Sequence, residues 1–302
     1  MKALRLKAWK SEPVLDDVAI PEPGAGEVVV QVGAAGACHS DLHLMYDFEA
    51  GTLPWSPPFT LGHENAGWVH AVGAGVRGLE PGVPVAVVGA WGCGSCQRCL
   101  DGLETYCERP DLAPVPGGGG GLGMDGGMAE YLLVPAARHV LPLPEGLEPV
   151  EAAPLTDAAL TPYHAVRRSE AKLGPTATAV VIGVGGLGHM AVQILRATSG
   201  ARVVAVDPRD AARDLAMQCG ADLALPPGPD LVFRDSRVHS RHRCRRGGRL
   251  RGFRRDAGIG GSERPCPRRR HHRRYRRRHA TGVVLRRPLR GVGPVHVLGQ
   301  PT

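Results

Sequence analysis

No apolar run in this 302-residue chain approaches the roughly 18 residues that a membrane-spanning helix needs. An apolar signal core is also missing, because Met1-Lys2-Ala3-Leu4-Arg5 leads directly into an alternating strand pattern. No lysine follows Lys172, and aromatic residues number only 13 in the whole chain. These absences make a soluble, cytoplasmic protein the expectation, with cysteines to be read as thiolates or metal ligands before disulfides. A single sign of charge is missing as well. Residues 1–230 carry 15 basic and 26 acidic side chains, a net of −11, whereas residues 231–302 carry 22 Arg against 3 acids, a net of +19. The sequence pI of 9.3 therefore describes the tail and not the body, which excludes a uniformly basic nucleic-acid binder.

The length suits about two ordinary domains. Residues 1–155 read as short β segments, with β-branched runs at 27–32, 67–73 and 83–88 and Gly/Pro punctuation about every ten residues. That spacing favours an all-β barrel or sandwich. The glycine run 117–121 reads as a flexible loop. Residues 151–169 lose their glycines and read as helix, interrupted at Thr161-Pro162. Strand patterns at 178–182, 202–206 and 222–225 then alternate with helix patterns at 189–198 and 209–219. This βαβαβ order predicts a parallel α/β sheet over residues 156–230. Trp55, Trp91 and Tyr106 read as core residues in preference to pocket lining.

Cys93, Cys96, Cys99 and Cys107 are spaced C-x2-C-x2-C-x7-C between turn-permitting glycines. Four thiolates so close in sequence can close a tetrahedral shell around a structural Zn2+. Incidental cysteines, disulfides and an iron–sulfur cluster are the alternatives, although the spacing departs from the ferredoxin pattern. Cys38, His63 and Asp157 form a second candidate set. Each alone reads more simply as a buried small side chain or a satisfied polar group. Their settings say more: a thiol, two imidazoles, a hydroxyl and a carboxylate crowd into 38–43, and Glu64 follows His63. Three protein ligands with an open fourth position is the arrangement of a catalytic zinc.

Gly183-Val184-Gly185-Gly186-Leu187-Gly188 satisfies G-x-G-x-x-G between a buried strand and a helix, the context that makes this motif a dinucleotide turn. Such glycines let the backbone approach a pyrophosphate at a helix N-terminus. Asp207 ends the next strand, where a carboxylate accepts ribose hydroxyls and repels a 2′-phosphate, favouring NAD. A strand-end turn residue is the alternative reading of Asp207.

With these motifs assembled, residues 1–230 resemble the zinc-dependent medium-chain alcohol dehydrogenases, especially the bacterial secondary-alcohol branch. The segments 36–41, 62–64, 93–107, 154–165 and 181–189 carry the likeness. The resemblance implies a GroES-like catalytic domain at 1–155 followed by an incomplete Rossmann NAD-binding domain at 156–230. It implies Cys38, His63 and Asp157 as catalytic zinc ligands, with Glu64 as the acidic neighbour that can approach the metal. Asp41 would orient the ligating histidine, Ser40 would take the alcohol proton, and His43 would relay it outward. His39 would lie near the pyrophosphate, with Gly183, Gly185, Gly186, Leu187, Gly188 and Asp207 around the cofactor. The implied partners are a small alcohol or carbonyl substrate, Zn2+ in both a catalytic and a structural site, and NAD. The family forms homo-oligomers through a sheet edge that this chain is expected to lack.

The resemblance stops near residue 230. Residues 234–282 contain 19 Arg but only Val238, Leu250, Phe253 and Ile259 as large aliphatic or Phe side chains, too few to offset chain entropy. The composition matches a high-GC gene read out of frame. A disordered tail and a basic tail that neutralises nucleic-acid phosphates are the alternatives. The truncation predicts little turnover by this polypeptide and an unpaired strand edge near 222–225. A non-catalytic zinc-binding domain with a basic interaction tail is the competing functional reading. Translating the other frames downstream of codon 230 separates the two.

Overall fold

The computed structural model describes residues 1–228, 282–286 and 296–298. The arginine runs at 243–246 and 268–274, on which the out-of-frame, disordered-tail and nucleic-acid readings rest, lie outside the described residues.

Strands β1 (Lys2–Leu6), β2 (Val14–Asp17) and β4 (Phe59–Thr60) form one antiparallel sheet in the order β2-β1-β4. A five-stranded antiparallel sheet contains β3 (Val28–Gly36), β5 (Glu64–Val72), β6 (Pro84–Val87), β9 (Tyr131–Val134) and β10 (Val140–Pro142), in the order β10-β6-β5-β3-β9. Between β6 and β9, the short β7 (Gly119–Gly120) and β8 (Gly123–Met124) pair with each other. The β-branched run of β3 is apolar on both faces because Val28, Val29 and Val30 are all buried, as suits a strand near the middle of a covered sheet. Val69, Val85, Val87, Leu132 and Val134 pack with Val28 and Val30 into one core, and Trp91 completes it. Trp55 packs against a second aromatic cluster with Trp9 and Phe59. Tyr106 departs from the core expectation and stands exposed in the cysteine lobe.

The glycine run is not a flexible loop. Gly118, Gly119, Gly120 and Gly121 are all buried, and a Cβ on Gly119 would lie 1.7 Å from the Gly89 carbonyl oxygen. Glycine is required here because two backbones touch. The expected break at Thr161-Pro162 also shifts. Helix α3 (Pro149–Ala152) runs into a single 3-10 turn, Ala153–Thr156, and α4 (Leu160–Ser169) then begins, with Pro162 in its first turn. Proline costs little there because the first-turn N–H groups have no intrahelical acceptor. The discontinuity falls instead at residues 157–159, where Asp157 adopts a non-helical backbone.

The second sheet is close to the sequence reading. Strands β11 (Thr178–Ile182), β12 (Arg202–Val206) and β13 (Leu223–Leu225) are parallel. Helices α5 (Gly186–Thr198) and α6 (Asp210–Gln218) connect them. Their shared core is built from Val181, Val192, Leu195, Val203 and small alanines. Strand β13 forms one edge, paired only with β12 among the described residues. The other side departs from expectation, because β14 (Gly282–Arg286) adds antiparallel to β11 and β15 (His296–Leu298) to β14. Where the parallel units stop, the β11 edge presents unpaired N–H and C=O groups. Val283-Val284-Leu285 is the aliphatic run of the tail that suits a strand.

Replacing Gly119 by Ala should destabilise the chain by about 1–3 kcal/mol, read as a lowered denaturation midpoint. Gly174, whose Cβ would meet nothing within 4 Å, should tolerate the same change within about 0.5 kcal/mol.

Candidate metal centres and nucleotide turn

Antiparallel pairing of β3 with β5 sets Gly36 opposite Glu64. Cys38 follows the end of β3 and His63 precedes the start of β5, so the register brings a thiol and an imidazole to one end of the sheet. Helix α1 (His39–Tyr46) starts at Cys38, its N-cap residue. Asp41 in its first turn accepts the Cys38 backbone N–H on Oδ2 at 2.8 Å. The other Asp41 oxygen, Oδ1, lies 3.4 Å from His63 Nδ1, and neither buried atom has any other partner.

The third member comes from far along the chain. Asp157 Oδ2 lies 3.6 Å from His63 Nε2 and 4.0 Å from Cys38 Sγ. The three donor atoms all fall within 4.8 Å of one another. A cation with ligands about 2.0–2.3 Å away fits this spacing, since the facing donors are too far apart to satisfy one another directly. Thr161, four residues after Asp157 and so on the same side of a helical turn, donates to Asp157 Oδ1 at 3.2 Å. That support was legible only as an i, i+4 spacing and was missed. Ser40 Oγ stands 3.6 Å from Cys38 Sγ. His43 is exposed and pairs with Asp47, and its ring centroid is 5.2 Å from that of His39. Glu64 is not among the converging donors. It is buried beside Gly36.

Electrostatics tie this set together. Burial alone would lower the His63 pKa, but the facing polar groups of Asp157, Asp41 and Cys38 raise it to about 12. The same contact with His63 holds Asp157 below the usual carboxylate range. Burial raises the Cys38 thiol, yet its bonds to His63 and Ser40 bring it below the ordinary value. Burial and then the neighbouring Asp157 charge push Glu64 upward. Without a cation, a protonated His63 supplies positive charge beside the Asp157 carboxylate, and a metal binding through Nε2 must displace that proton.

The four-cysteine lobe is a second donor shell. All four thiols are free, and their sulfurs lie within 4.8 Å of one another. The Cys96–Cys99, Cys93–Cys99 and Cys96–Cys107 separations are 3.4, 3.9 and 4.0 Å. Sulfurs about 2.3 Å from one tetrahedral ion stand about 3.8 Å apart, so these residues fit a zinc ion. Backbone N–H groups of Ser95, Cys96 and Glu108 point at the sulfurs of Cys93 and Cys96. The Ser95 hydroxyl, then the Ser95 and Cys96 backbone N–H groups, bring the Cys93 thiol down to about 5. Burial pushes Cys99 up to about 12. The lobe is anchored to the five-stranded sheet by Glu104, which accepts from Gly92 N, Arg138 Nε and His139 Nε2 at 2.6, 2.9 and 2.8 Å. No motif marked that anchor, whose members are separated by as many as 47 positions.

At the nucleotide turn, Gly183 has φ of +85°. A Cβ on Gly188 would lie 1.9 Å from the Gly183 carbonyl oxygen, whereas Gly185 and Gly186 face open space. The first-turn N–H groups of α5 start there without a side-chain cap, a setting suited to an anion. Asp207 lies across the turn. It accepts from Val184 N at 2.8 Å and Arg209 N at 2.9 Å.

Residues 24–145 match the alcohol dehydrogenase GroES-like domain. The chain is similar to the NAD-dependent alcohol dehydrogenase of Sulfurisphaera tokodaii, 41% identical over 231 residues, which cover 74% of this chain and 64% of that protein. An alcohol dehydrogenase of Geobacillus stearothermophilus is 40% identical over 233 residues, covering 76% and 65%. The solved alcohol dehydrogenase of Aeropyrum pernix superposes with a TM-score of 0.70 at 38% identity, covering 79% of this chain and 68% of that one. The chain thus spans less than two thirds of the length of these curated relatives. Among the described residues, no helix is long and apolar enough to cross a membrane.

Two metal-binding predictions follow from the donor geometry. Zinc titration should saturate at about two ions per chain. Cys96→Ser with Cys99→Ser should remove one ion, and His63→Ala the other, as read by metal analysis after gel filtration. After chelation at pH 7, mass spectrometry of alkylated peptides should find Cys93 modified well before Cys99, because only the former is substantially thiolate there. Equal labelling would contradict the hydrogen-bond pattern around the two sulfurs.

Proposed function

The chain belongs to the zinc-dependent medium-chain alcohol dehydrogenase family, and we propose that its site moves a hydride between a small alcohol and NAD, giving an aldehyde or ketone. The observation that carries this reading is the convergence of Cys38, His63 and Asp157 within 4.8 Å, beside the Ser40 hydroxyl. Residues 1–155 are the proposed catalytic domain and 156–230 the nucleotide domain, whose first residues lend Asp157 to the metal set. Cys38, His63 and Asp157 would hold the catalytic zinc, and Cys93, Cys96, Cys99 and Cys107 the structural one. Zinc, when bound, supplies the Lewis acid that makes an alcohol hydroxyl acidic, and NAD supplies the hydride acceptor.

The chain's own residues do the rest. Asp41 keeps the His63 ring turned so that Nε2 faces the metal position. Ser40 Oγ takes the alcohol proton. His43, three residues further on the same helix and therefore on the same side, passes it to solvent. Glu64 is the acidic neighbour of the metal. The turn at Gly183, Gly185, Gly186, Leu187 and Gly188, together with His39, receives the pyrophosphate, and Asp207 faces the adenosine ribose. A cytosolic setting accords with free thiols at every described cysteine. Family-type assembly through a longer sheet edge is not proposed for this chain.

Among the described residues, the parallel part of the sheet has three strands, whereas the family's nicotinamide site draws on strands beyond them. Zinc-loaded protein should therefore bind NAD yet oxidise simple secondary alcohols well below the enzyme median of about 10 s⁻¹. Restoring a family-type continuation in frame after residue 230 should raise the rate, and Ser40→Ala in that version should lower it about 10²–10⁴-fold. A restored chain that holds zinc and NAD but oxidises no alcohol would refute the proposal. An ordinary rate from the present chain would refute the shortfall.

A further inference from the structure

Helix α1 carries a pair of imidazoles that the two donor clusters do not use. His39-Ser40-Asp41-Leu42-His43 places histidines at i and i+4, which stand one above the other on a helix face. Asp41, Leu44 and Met45 form the buried side of α1, whereas His39 and His43 are both exposed. Their ring centres lie 5.2 Å apart, with the planes tilted by 56°. Two imidazoles each about 2.0–2.1 Å from one ion would put their ring centres about 4.5–5.2 Å apart, for ligand angles from square to tetrahedral. The observed separation sits at the tetrahedral end of that range.

His43 Nδ1 pairs with the Asp47 carboxylate one turn further along the helix. That pairing leaves Nε2 free, and a carboxylate behind the other nitrogen orients a metal-ligating imidazole and raises its basicity. Among the described residues, no hydrogen bond or ion pair occupies either nitrogen of His39. Imidazole ligands suit Ni2+, Cu2+ and Zn2+, whereas Mg2+ and Mn2+ prefer oxygen. Two exposed imidazoles completed by water hold such an ion more weakly than the three- and four-donor clusters do. It is therefore lost on gel filtration, and the count of two retained zinc ions stands.

We propose that His39 and His43 form a third divalent-metal site, open to solvent at the start of α1, that takes Ni2+, Cu2+ or excess Zn2+ between their ring nitrogens. The helical spacing, the ring separation and the Asp47 carboxylate carry it, and neither the alcohol reading nor the dinucleotide reading is needed. A coordinated nitrogen has no lone pair left for a proton, so an ion here and the outward relay given to His43 exclude each other.

Diethyl pyrocarbonate, which acylates exposed imidazole nitrogens, tests the site on the full zinc-loaded chain with and without Ni2+, read site by site by peptide mass spectrometry. Ni2+ should slow the labelling of His39 and His43 together, with one midpoint, while exposed His70, which lies beside Tyr131, stays reactive. His43→Gln should abolish the protection of His39 at the same Ni2+ concentration, and His39→Gln that of His43, because one imidazole alone holds the ion weakly. Asp47→Asn should raise the midpoint about tenfold. Mg2+ should protect neither histidine. The melting temperature of each variant establishes that it is folded, and zinc measured on the same samples should not fall. Protection of His39 that survives in His43→Gln overturns the proposal, as does equal labelling of both histidines with and without Ni2+. Zinc release matching the Ni2+ taken up also overturns it, because the ion would then have entered one of the two donor clusters.

Discussion

The Cys38–His63–Asp157 cluster depends on the bidentate use of Asp41. One oxygen holds the backbone of Cys38 at the start of α1, and the other faces the His63 ring. A single buried carboxylate thus fixes two donors that come from the ends of neighbouring strands. Burying such a charge is costly unless it is satisfied, and here the satisfaction is the arrangement of the site itself. Asp157 can then complete the set with a carboxylate held by Thr161, because the His63 charge lowers the cost of placing an anion there.

The two halves of the chain hold charge in different ways. Around the antiparallel sheets, thiols, an imidazole and a carboxylate converge into clusters that call for a cation. In the parallel sheet, small residues let backbone approach backbone, and the open N–H groups at the start of α5 call for an anion. Beside that turn the Asp207 carboxylate is held by the Val184 and Arg209 backbone N–H groups and by the Arg209 guanidinium. The Glu104 anchor plays a corresponding part in the cysteine lobe. It joins the lobe to the segment before β10 through Arg138 and His139, so that the lobe's position is fixed by charge and hydrogen bonds as well as by any metal.

Much of the fold was legible because its determinants are local. The strands at 178–182 and 202–206 follow from β-branched runs bounded by turn residues, and the nucleotide turn from its glycines between a strand and a helix. The four cysteines were legible because one short loop carries them all. Pro162 and the glycine run were misread for a shared reason. Proline is harmless in a first helical turn and damaging further in, and glycine serves close packing as readily as flexibility. Local sequence states the residue but not which of those settings it will meet. The late strands at 282–286 and 296–298 were missed because an antiparallel partner depends on an edge left open elsewhere.

The sequence by itself determined the residue types, the spacing of the cysteine shell and the βαβαβ order, all of which depend on neighbours a few positions apart. Tertiary structure alone decided that Asp157 meets residues more than ninety positions earlier, since only the β3–β5 register and the turn before α4 bring them together. It likewise decided that Glu64 stands aside from the donor set and that Asp207 lies beneath Arg209. Side-chain direction and the sharing of hydrogen bonds are properties of packed surroundings, and no linear pattern carries them.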